Sequence, residues 1–159
     1  MRDPISHIEA LIENLLASGE LEIFDKVKWQ LRDGYLASTL KVHHLDQQQD
    51  IRLDLLKNPR ISKFSFQLRV NSKPARRFCS RTAHTNPADC AELPNVKFPH
   101  EHKHRWSDLT GDECVYVPED FNLHPLEDAF FSFCEECGID FHGVWNDPPE
   151  VQLGFESIA

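Results

Sequence analysis

The chain has 159 residues, of which 40% are hydrophobic and 27% charged, and its formal net charge is −9. This composition excludes a disordered or low-complexity chain, and no apolar run approaches the roughly 18 residues of a membrane span. We expect a single domain over residues 1–159 with no secretory signal, a cytoplasmic location and five reduced cysteines.

The first half of the chain predicts one helix followed by strands. Apolar residues recur at spacings of three and four over residues 4–17, which is typical of an amphipathic helix. Residues 21–31 predict a strand, and Asp33-Gly34 predicts a hairpin turn into a second strand over 35–45. Apolar and polar residues then alternate in two further predicted strands, over 51–55 and 64–70, and residues 75–83 are predicted as another strand.

The second half predicts a loop, short strands and a second helix. Residues 84–99 carry Asn-Pro and Pro signals typical of a loop. Further elements are predicted as an extended segment over 100–106, a short strand over 114–117, a helix over 125–137 and a last strand over 141–145, with a tail over 146–159. The predicted fold is α+β, with an N-terminal helix, an antiparallel sheet of about six strands mostly within 21–117, and a C-terminal helix packed on one face.

Charge is distributed unevenly along the chain. Residues 57–105 hold eleven Lys and Arg against three acids, whereas residues 106–159 hold thirteen acids and neither Lys nor Arg. Fields act over a Debye length of about 8–10 Å, so the basic middle segment could attract nucleic acid despite the negative total. The alternative is that the acidic segments fold beside it and neutralise it.

Four of the nine histidines lie in or next to this basic segment, namely His84, His100, His102 and His104. In an extended segment, the last three share one face. Two imidazoles can act as general base and general acid in RNA cleavage without metal. Arginines on neighbouring predicted strands would stabilise the phosphate charge, and we expect Arg69, Arg77 and Arg81 to do so.

Two other interpretations of the histidines stay open. His-x-His on a strand is a common pair of metal ligands, and His84 could be a third, although which metal is unknown. The histidines could also be partly exposed strand residues without chemistry. No Gly-rich phosphate loop is present, so we expect no organic cofactor.

The cysteines carry no specific motif. Cys134 and Cys137 form a single Cys-x-x-Cys, but they fall on the apolar stripe of the predicted C-terminal helix, where a free cysteine behaves as a small hydrophobe. We therefore expect both in the core. A nucleophile paired with histidine is conceivable for Cys79, Cys90 or Cys114, although no local motif supports it.

Three segments carry a resemblance, namely Phe66-Gln67-Leu68-Arg69, then 81–87 ending in His84-Thr85-Asn86-Pro87, and Phe98-Pro99-His100-Glu101-His102. Together they resemble a family of small bacterial proteins with a His-x-Asn-Pro-Asp-Gly loop and a Pro-His-x-His-x-aromatic strand. They are also similar to TumE-like toxins of toxin–antitoxin pairs. The resemblance covers about a third of the chain and implies a toxin or mobile-element context. The chain departs from the pattern at Ala88-Asp89, which lacks the glycine, and at His104, which replaces the aromatic residue.

Three functions follow as hypotheses. The first is a toxin-type ribonuclease, or another nucleic-acid-directed protein of a mobile element, with RNA or another nucleic acid as its partner. The second is a non-enzymatic inhibitor or accessory protein whose acidic C-terminal third mimics nucleic acid and binds a basic protein partner. The third is a metal-dependent hydrolase that uses the same histidines. A cognate antitoxin or target protein is a further expected partner, and a membrane is not.

Overall fold

The computed structural model describes residues 8–46, 48–80, 84–90, 92–98, 102–116 and 125–150. Within them lie two helices, α1 (Ile8–Ala17) and α2 (Leu126–Glu136). The strands are β1 (Leu21–Ile23), β2 (Gln30–Arg32), β3 (Tyr35–Val42), β4 (Ile51–Lys57), β5 (Phe64–Val70), β6 (Lys73–Cys79), β7 (His84–Thr85), β8 (Lys97–Phe98), β9 (His102–Arg105), β10 (Val115–Tyr116) and β11 (Ile139–Phe141).

Seven strands form the main sheet in the order β10-β9-β6-β5-β4-β3-β2, and every neighbouring pair is antiparallel. The predicted α+β class, the N-terminal and C-terminal helices and the antiparallel sheet are confirmed. Strands β7 and β8 form a separate antiparallel hairpin, which we call the β7–β8 hairpin. Residues 84–99, predicted as a loop, therefore include two short strands.

Two hairpin turns have the backbone that their residues favour. Asp33 and Gly34 both have positive φ, at 50° and 82°, and Asn71 and Ser72 do too, at 49° and 71°. Two-residue turns with positive φ at both positions match the right-handed twist of the strands they connect. The turn predicted at Asp33-Gly34 is confirmed. The turn at Asn71-Ser72 joins β5 to β6, which begins at Lys73.

The single strand predicted over residues 21–31 is wrong. The chain leaves β1 after Ile23 and enters the main sheet only at Gln30. Strand β1 pairs in parallel with β11, and an isolated bridge joins Lys26 to Val144. The last strand lies at Ile139–Phe141 rather than over 141–145, because β11 follows α2 after only a short turn.

One face of the main sheet forms the core with both helices. Strand β5 places every second side chain in this core, from Phe64 to Val70. The ring of Phe66 lies 5.6 Å from that of Phe133 and 6.2 Å from that of Phe130, both on α2. Burying such a ring stabilises the fold by roughly 1.5–3 kcal/mol. On α2 and at its C-terminal end, Phe130, Phe133, Cys134 and Cys137 are buried, and Leu126 is partly buried.

The opposite face of the main sheet carries mostly polar side chains, and we call it the open face. Because side chains alternate along a strand, the registers of β3 to β6 and β9 assign it Thr39, Lys41, Arg52, Asp54, Ser65, Gln67, Arg69, Arg77, Cys79, His102 and His104. Among the described residues, no helix is both long and apolar enough to cross a membrane.

Candidate active site

Three histidines meet at the β9 end of the open face, and we call them the histidine cluster. Strand β9 pairs with β6 so that His102 lies opposite Cys79 and His104 opposite Arg77. The β7–β8 hairpin brings His84 against both. The ring centroids are 4.8 Å apart for His102 and His104, 5.1 Å for His84 and His104, and 5.6 Å for His84 and His102. His100 and Arg81, also predicted as site residues, lie outside the described residues.

Strand β9 is buried on both sides. His102 and His104 are 1% exposed, and Lys103 between them is 7% exposed. The histidines face the β7–β8 hairpin, whereas the Lys103 ammonium lies 2.7 Å from the Glu136 carboxylate on α2. The prediction that His102 and His104 share one face of the strand is confirmed.

Backbone carbonyls fix the tautomers of His104 and His84. Nδ1 of His104 lies 2.6 Å from the Asp112 carbonyl oxygen, and Nε2 of His84 lies within hydrogen-bond distance of the Glu113 carbonyl oxygen. A carbonyl only accepts, so each of these nitrogens carries the hydrogen. In the neutral rings, Nε2 of His104 and Nδ1 of His84 are therefore the nitrogens that carry a lone pair and can accept a hydrogen bond.

Burial keeps His104 neutral. Desolvation, followed by the positive charge of Arg77 and the two neighbouring imidazoles, lowers the pKa of His104 to about 3, although the hydrogen bond to the Asp112 carbonyl acts in the opposite direction. A ring with such a pKa is unprotonated near neutral pH and is not a general acid. His84 is only partly buried, so solvent reaches the histidine cluster at this ring.

Arg77 is the predicted arginine that contacts the histidine cluster. Its Nη2 lies 3.2 Å from Nε2 and 3.3 Å from Nδ1 of His104, and 3.3 Å from the carboxylate of Asp112. Its Nε is buried and has no hydrogen-bond partner. Arg69 also lies on the open face, but it donates two hydrogen bonds to Asp54, and this carboxylate raises the pKa of the guanidinium.

An asparagine that sequence reasoning missed anchors the β7–β8 hairpin. The side chain of Asn86 is 2% exposed, donates to the carbonyls of Leu93 and Val115, and accepts from the Val115 amide. These bonds attach the hairpin to β10 and hold His84 beside β9. The only sequence signal was the Asn86-Pro87 pair, which indicates a turn without indicating its contacts.

A disulfide joins the same two parts of the chain. Cys90, within the segment that connects β7 and β8, is bonded to Cys114, and their Cα atoms are 5.8 Å apart. The expectation of five reduced cysteines is therefore wrong for this pair, because the fold brings together two residues with a sequence separation of 24. Cys134 and Cys137 are free and buried in the core, as predicted, and burial raises the pKa of the Cys134 thiol to about 12.

Metal binding at the histidine cluster lacks a suitable geometry. Across the described ranges, no three or more His, Cys, Asp or Glu side chains are arranged to hold a metal ion. The Arg77 guanidinium within 3.2 Å of His104 also opposes a second positive charge at that ring.

The acidic segments neutralise part of the basic middle segment. Four of its cations pair with carboxylates from outside it, in the pairs Arg69–Asp54, Arg76–Glu13, Arg77–Asp112 and Lys103–Glu136. The neutralising alternative therefore holds for these four cations.

A scan against protein-family models finds no match, and comparisons with curated proteins and with solved structures find none either. The resemblance to TumE-like toxins therefore stays a prediction carried by the sequence motifs alone.

Proposed function

We propose that this protein is a ribonuclease that cleaves RNA at the histidine cluster without a metal ion. One observation carries the proposal: three imidazoles lie with ring centroids 4.8–5.6 Å apart, beside a guanidinium. Acid–base groups and a cation at one point are what phosphodiester cleavage requires.

We assign the two proton transfers of the reaction to His84 and His102. One imidazole takes the proton of the ribose 2′-hydroxyl, whose oxygen then attacks the adjacent phosphorus. The bond from phosphorus to the 5′-oxygen breaks, and the second imidazole, protonated at the start, gives its proton to that oxygen. The products are a 2′,3′-cyclic phosphate and a 5′-hydroxyl, so protons and charge balance without a further reactant.

His104 and Arg77 have supporting roles. Nδ1 of His104 donates to the Asp112 carbonyl, and the ring lies against the Arg77 guanidinium, whose Nη2 is 3.2 Å from Nε2 and 3.3 Å from Nδ1. His104 is thus a positioning residue for Arg77. The guanidinium in turn stabilises the charge that develops on the phosphate oxygens, a contribution typically worth 10²–10³ in rate.

The proposed context is that of a toxin or mobile element, acting in the cytoplasm, with a cognate antitoxin or target protein as partner. The sequence motifs around His84 and His102 support this context. A disulfide is unusual in a reducing cytosol, so the location has its own test. Alkylation of intact cells followed by mass spectrometry should find Cys90 and Cys114 as free thiols if the protein resides there, and bonded thiols would contradict a cytoplasmic location.

The test is cleavage of total RNA by the purified protein, with and without a chelator. His84→Ala and His102→Gln should each lower the rate by roughly 10²–10⁴. The matched control is His142→Gln, since His142 is exposed and pairs with Glu22 away from the histidine cluster. Circular dichroism of each variant separates loss of chemistry from loss of fold.

Three results would decide between the hypotheses. Cleavage that survives chelator, yields 2′,3′-cyclic ends and is lost in His84→Ala supports the proposal. Unchanged cleavage in His84→Ala contradicts it. Cleavage that disappears with chelator favours the metal-dependent hydrolase instead.

An acidic inhibitor is the second candidate, favoured by the outer surface of α2. Glu127, Asp128 and Glu135 are exposed there. Glu136, on the same helix, lies against Lys103 and Tyr116 and is not part of this surface. Replacing the three exposed acids by Gln should weaken a complex with a basic protein partner, and this complex should also weaken with salt. Complexes of equal stability before and after the substitutions would exclude this candidate.

A further inference from the structure

Three cations lie in register across three adjacent strands of the open face, and we call them the cation row. Lys41 on β3 is directly opposite Arg52 on β4, and Arg52 is directly opposite Arg69 on β5. All three side chains are at least partly exposed. Neighbouring strands are about 4.8 Å apart, so the cation row extends over roughly 10 Å.

This row of like charges destabilises the folded protein when no anion is bound. Like charges directly opposite one another across a sheet destabilise it. Asp54 compensates Arg69, and Asp50 contacts Arg52 in a pair whose side chains are both about half exposed, which contributes little. Within the described residues, no acidic side chain lies at ion-pair distance from Lys41. A bound polyanion would offset this repulsion.

The neighbouring positions of the open face connect the cation row to the histidine cluster. Two residues further along the strands, Asp54 lies opposite Gln67, Gln67 opposite Arg77, and Arg77 opposite His104. A cavity of about 270 Å³ lies on this path and is lined by Gln67, Arg77 and Cys79, among others. From β3 to β9 the distance is four strand spacings, or roughly 19 Å.

We propose that the cation row binds the phosphate backbone of single-stranded RNA and leads it across the open face to the histidine cluster. The inference rests on the proposed ribonuclease function and adds the path of its substrate. Both helices pack on the opposite face, so an extended strand reaches the cation row without rearrangement of the fold. A chain with a net charge of −9 repels RNA in general, which makes a local set of cations necessary for binding.

The experiment measures binding of a short 2′-O-methyl RNA oligonucleotide, which lacks the attacking hydroxyl, by fluorescence anisotropy over a series of salt concentrations. The variant is Lys41→Gln/Arg52→Gln. The control is Arg60→Gln/Lys73→Gln, which removes the same charge from two exposed positions, one between β4 and β5 and one at the start of β6. Each phosphate contact on a single strand contributes about 0.7 to the slope of log K against log salt.

Loss of two contacts should therefore reduce the slope by about 1.4. If both proteins bind the RNA equally at 1 M salt, the variant should bind about 25-fold more weakly than the native protein at 0.1 M. The control should keep the slope and affinity of the native protein. Equal slopes for the native protein and Lys41→Gln/Arg52→Gln would overturn the inference. A polyglutamate that displaces the RNA at the same charge concentration would also overturn it, because the surface would then recognise acidic polymers in general.

Cleavage assays separate this inference from the proposed function. With cleavable RNA, Lys41→Gln/Arg52→Gln should raise KM and leave kcat within about twofold, because the cation row does not touch the reacting atoms. If the native protein cleaves no RNA but the slope falls as expected, the cation row stands and the proposed reaction does not. If cleavage depends on His84 while the slope does not change, the reaction stands and the cation row fails.

Discussion

Because the pKa of His104 is low, the free energy of unfolding should depend on pH. Acidification from pH 7 to pH 5 is the change that tests this dependence. In the unfolded chain a histidine takes up its proton near pH 6.5, whereas folded His104 does so only near pH 3. Between these values the unfolded state binds more protons, so the free energy of unfolding falls as the pH falls. The slope is about 1.4 kcal/mol per pH unit below 6.5, which gives a loss of about 2 kcal/mol at pH 5.

Urea denaturation at pH 7, 6 and 5 measures this loss against two variants. In His104→Asn the side-chain amide can still donate to the Asp112 carbonyl, but the group no longer titrates. Its free energy of unfolding should fall by about 2 kcal/mol less than that of the native protein between pH 7 and pH 5. His142→Gln is the control and should keep the native loss of about 2 kcal/mol between pH 7 and pH 5, because it leaves His104 and its contacts unchanged. Parallel curves for the native protein and His104→Asn would refute a neutral buried His104.

Three further substitutions test the elements that support the site. Cys114→Ser opens the disulfide that closes a loop of sequence separation 24, and it should lower the free energy of unfolding by about 3.5 kcal/mol; the native protein in reductant should lose the same amount. Lys103→Met leaves the carboxylate of Glu136 buried without its cation, so urea denaturation should show a loss of about 3 kcal/mol. Gly138→Ala would place a Cβ onto the Leu16 carbonyl, so thermal denaturation should show about 1–3 kcal/mol more destabilisation than Gly19→Ala, where φ is equally positive but the space is open.

Elements with a regular period and local signals could be predicted from the sequence. The strand Phe64–Val70 alternates without exception, and its buried and partly buried residues follow that alternation. The turn at Asp33-Gly34 uses residues that tolerate positive φ, and helix α2 ends before Gly138, which has a φ of 66°. In each case neighbouring residues alone determine the local conformation.

The features that the sequence did not predict depend on contacts between segments that are far apart along the chain. Residues 21–31 have the composition of one strand, but β1 pairs with β11, more than 100 residues later, and draws the chain out of the main sheet. The disulfide and the bonds of Asn86 likewise join segments 24 and 29 residues apart. Periodicity carries no information about such pairings, and two cysteines without a framework spacing do not reveal that they meet.

The alternation of β9 predicted correctly which side chains share a face but not that both faces are buried. Lysine is rarely buried without a partner, and α2, which returns over the sheet, places Glu136 against Lys103. His102 and His104 are buried for a separate reason, since the disulfide-linked β7–β8 hairpin covers them.

Helix α2 covers one face of β9 and the β7–β8 hairpin covers the other, so the stability of the fold and the proposed chemistry can be perturbed separately. Lys103 is held by α2 through the core, whereas the histidine cluster is completed by His84 on the β7–β8 hairpin. Opening the disulfide should therefore loosen His84 while β9 keeps its pairing with β6, and breaking the Lys103–Glu136 pair should weaken the core while the three imidazoles stay together. Activity that follows the disulfide more closely than the free energy of unfolding would assign His84 a direct part in the reaction. Activity that follows only the free energy of unfolding would make the histidine cluster a structural feature of a buried strand.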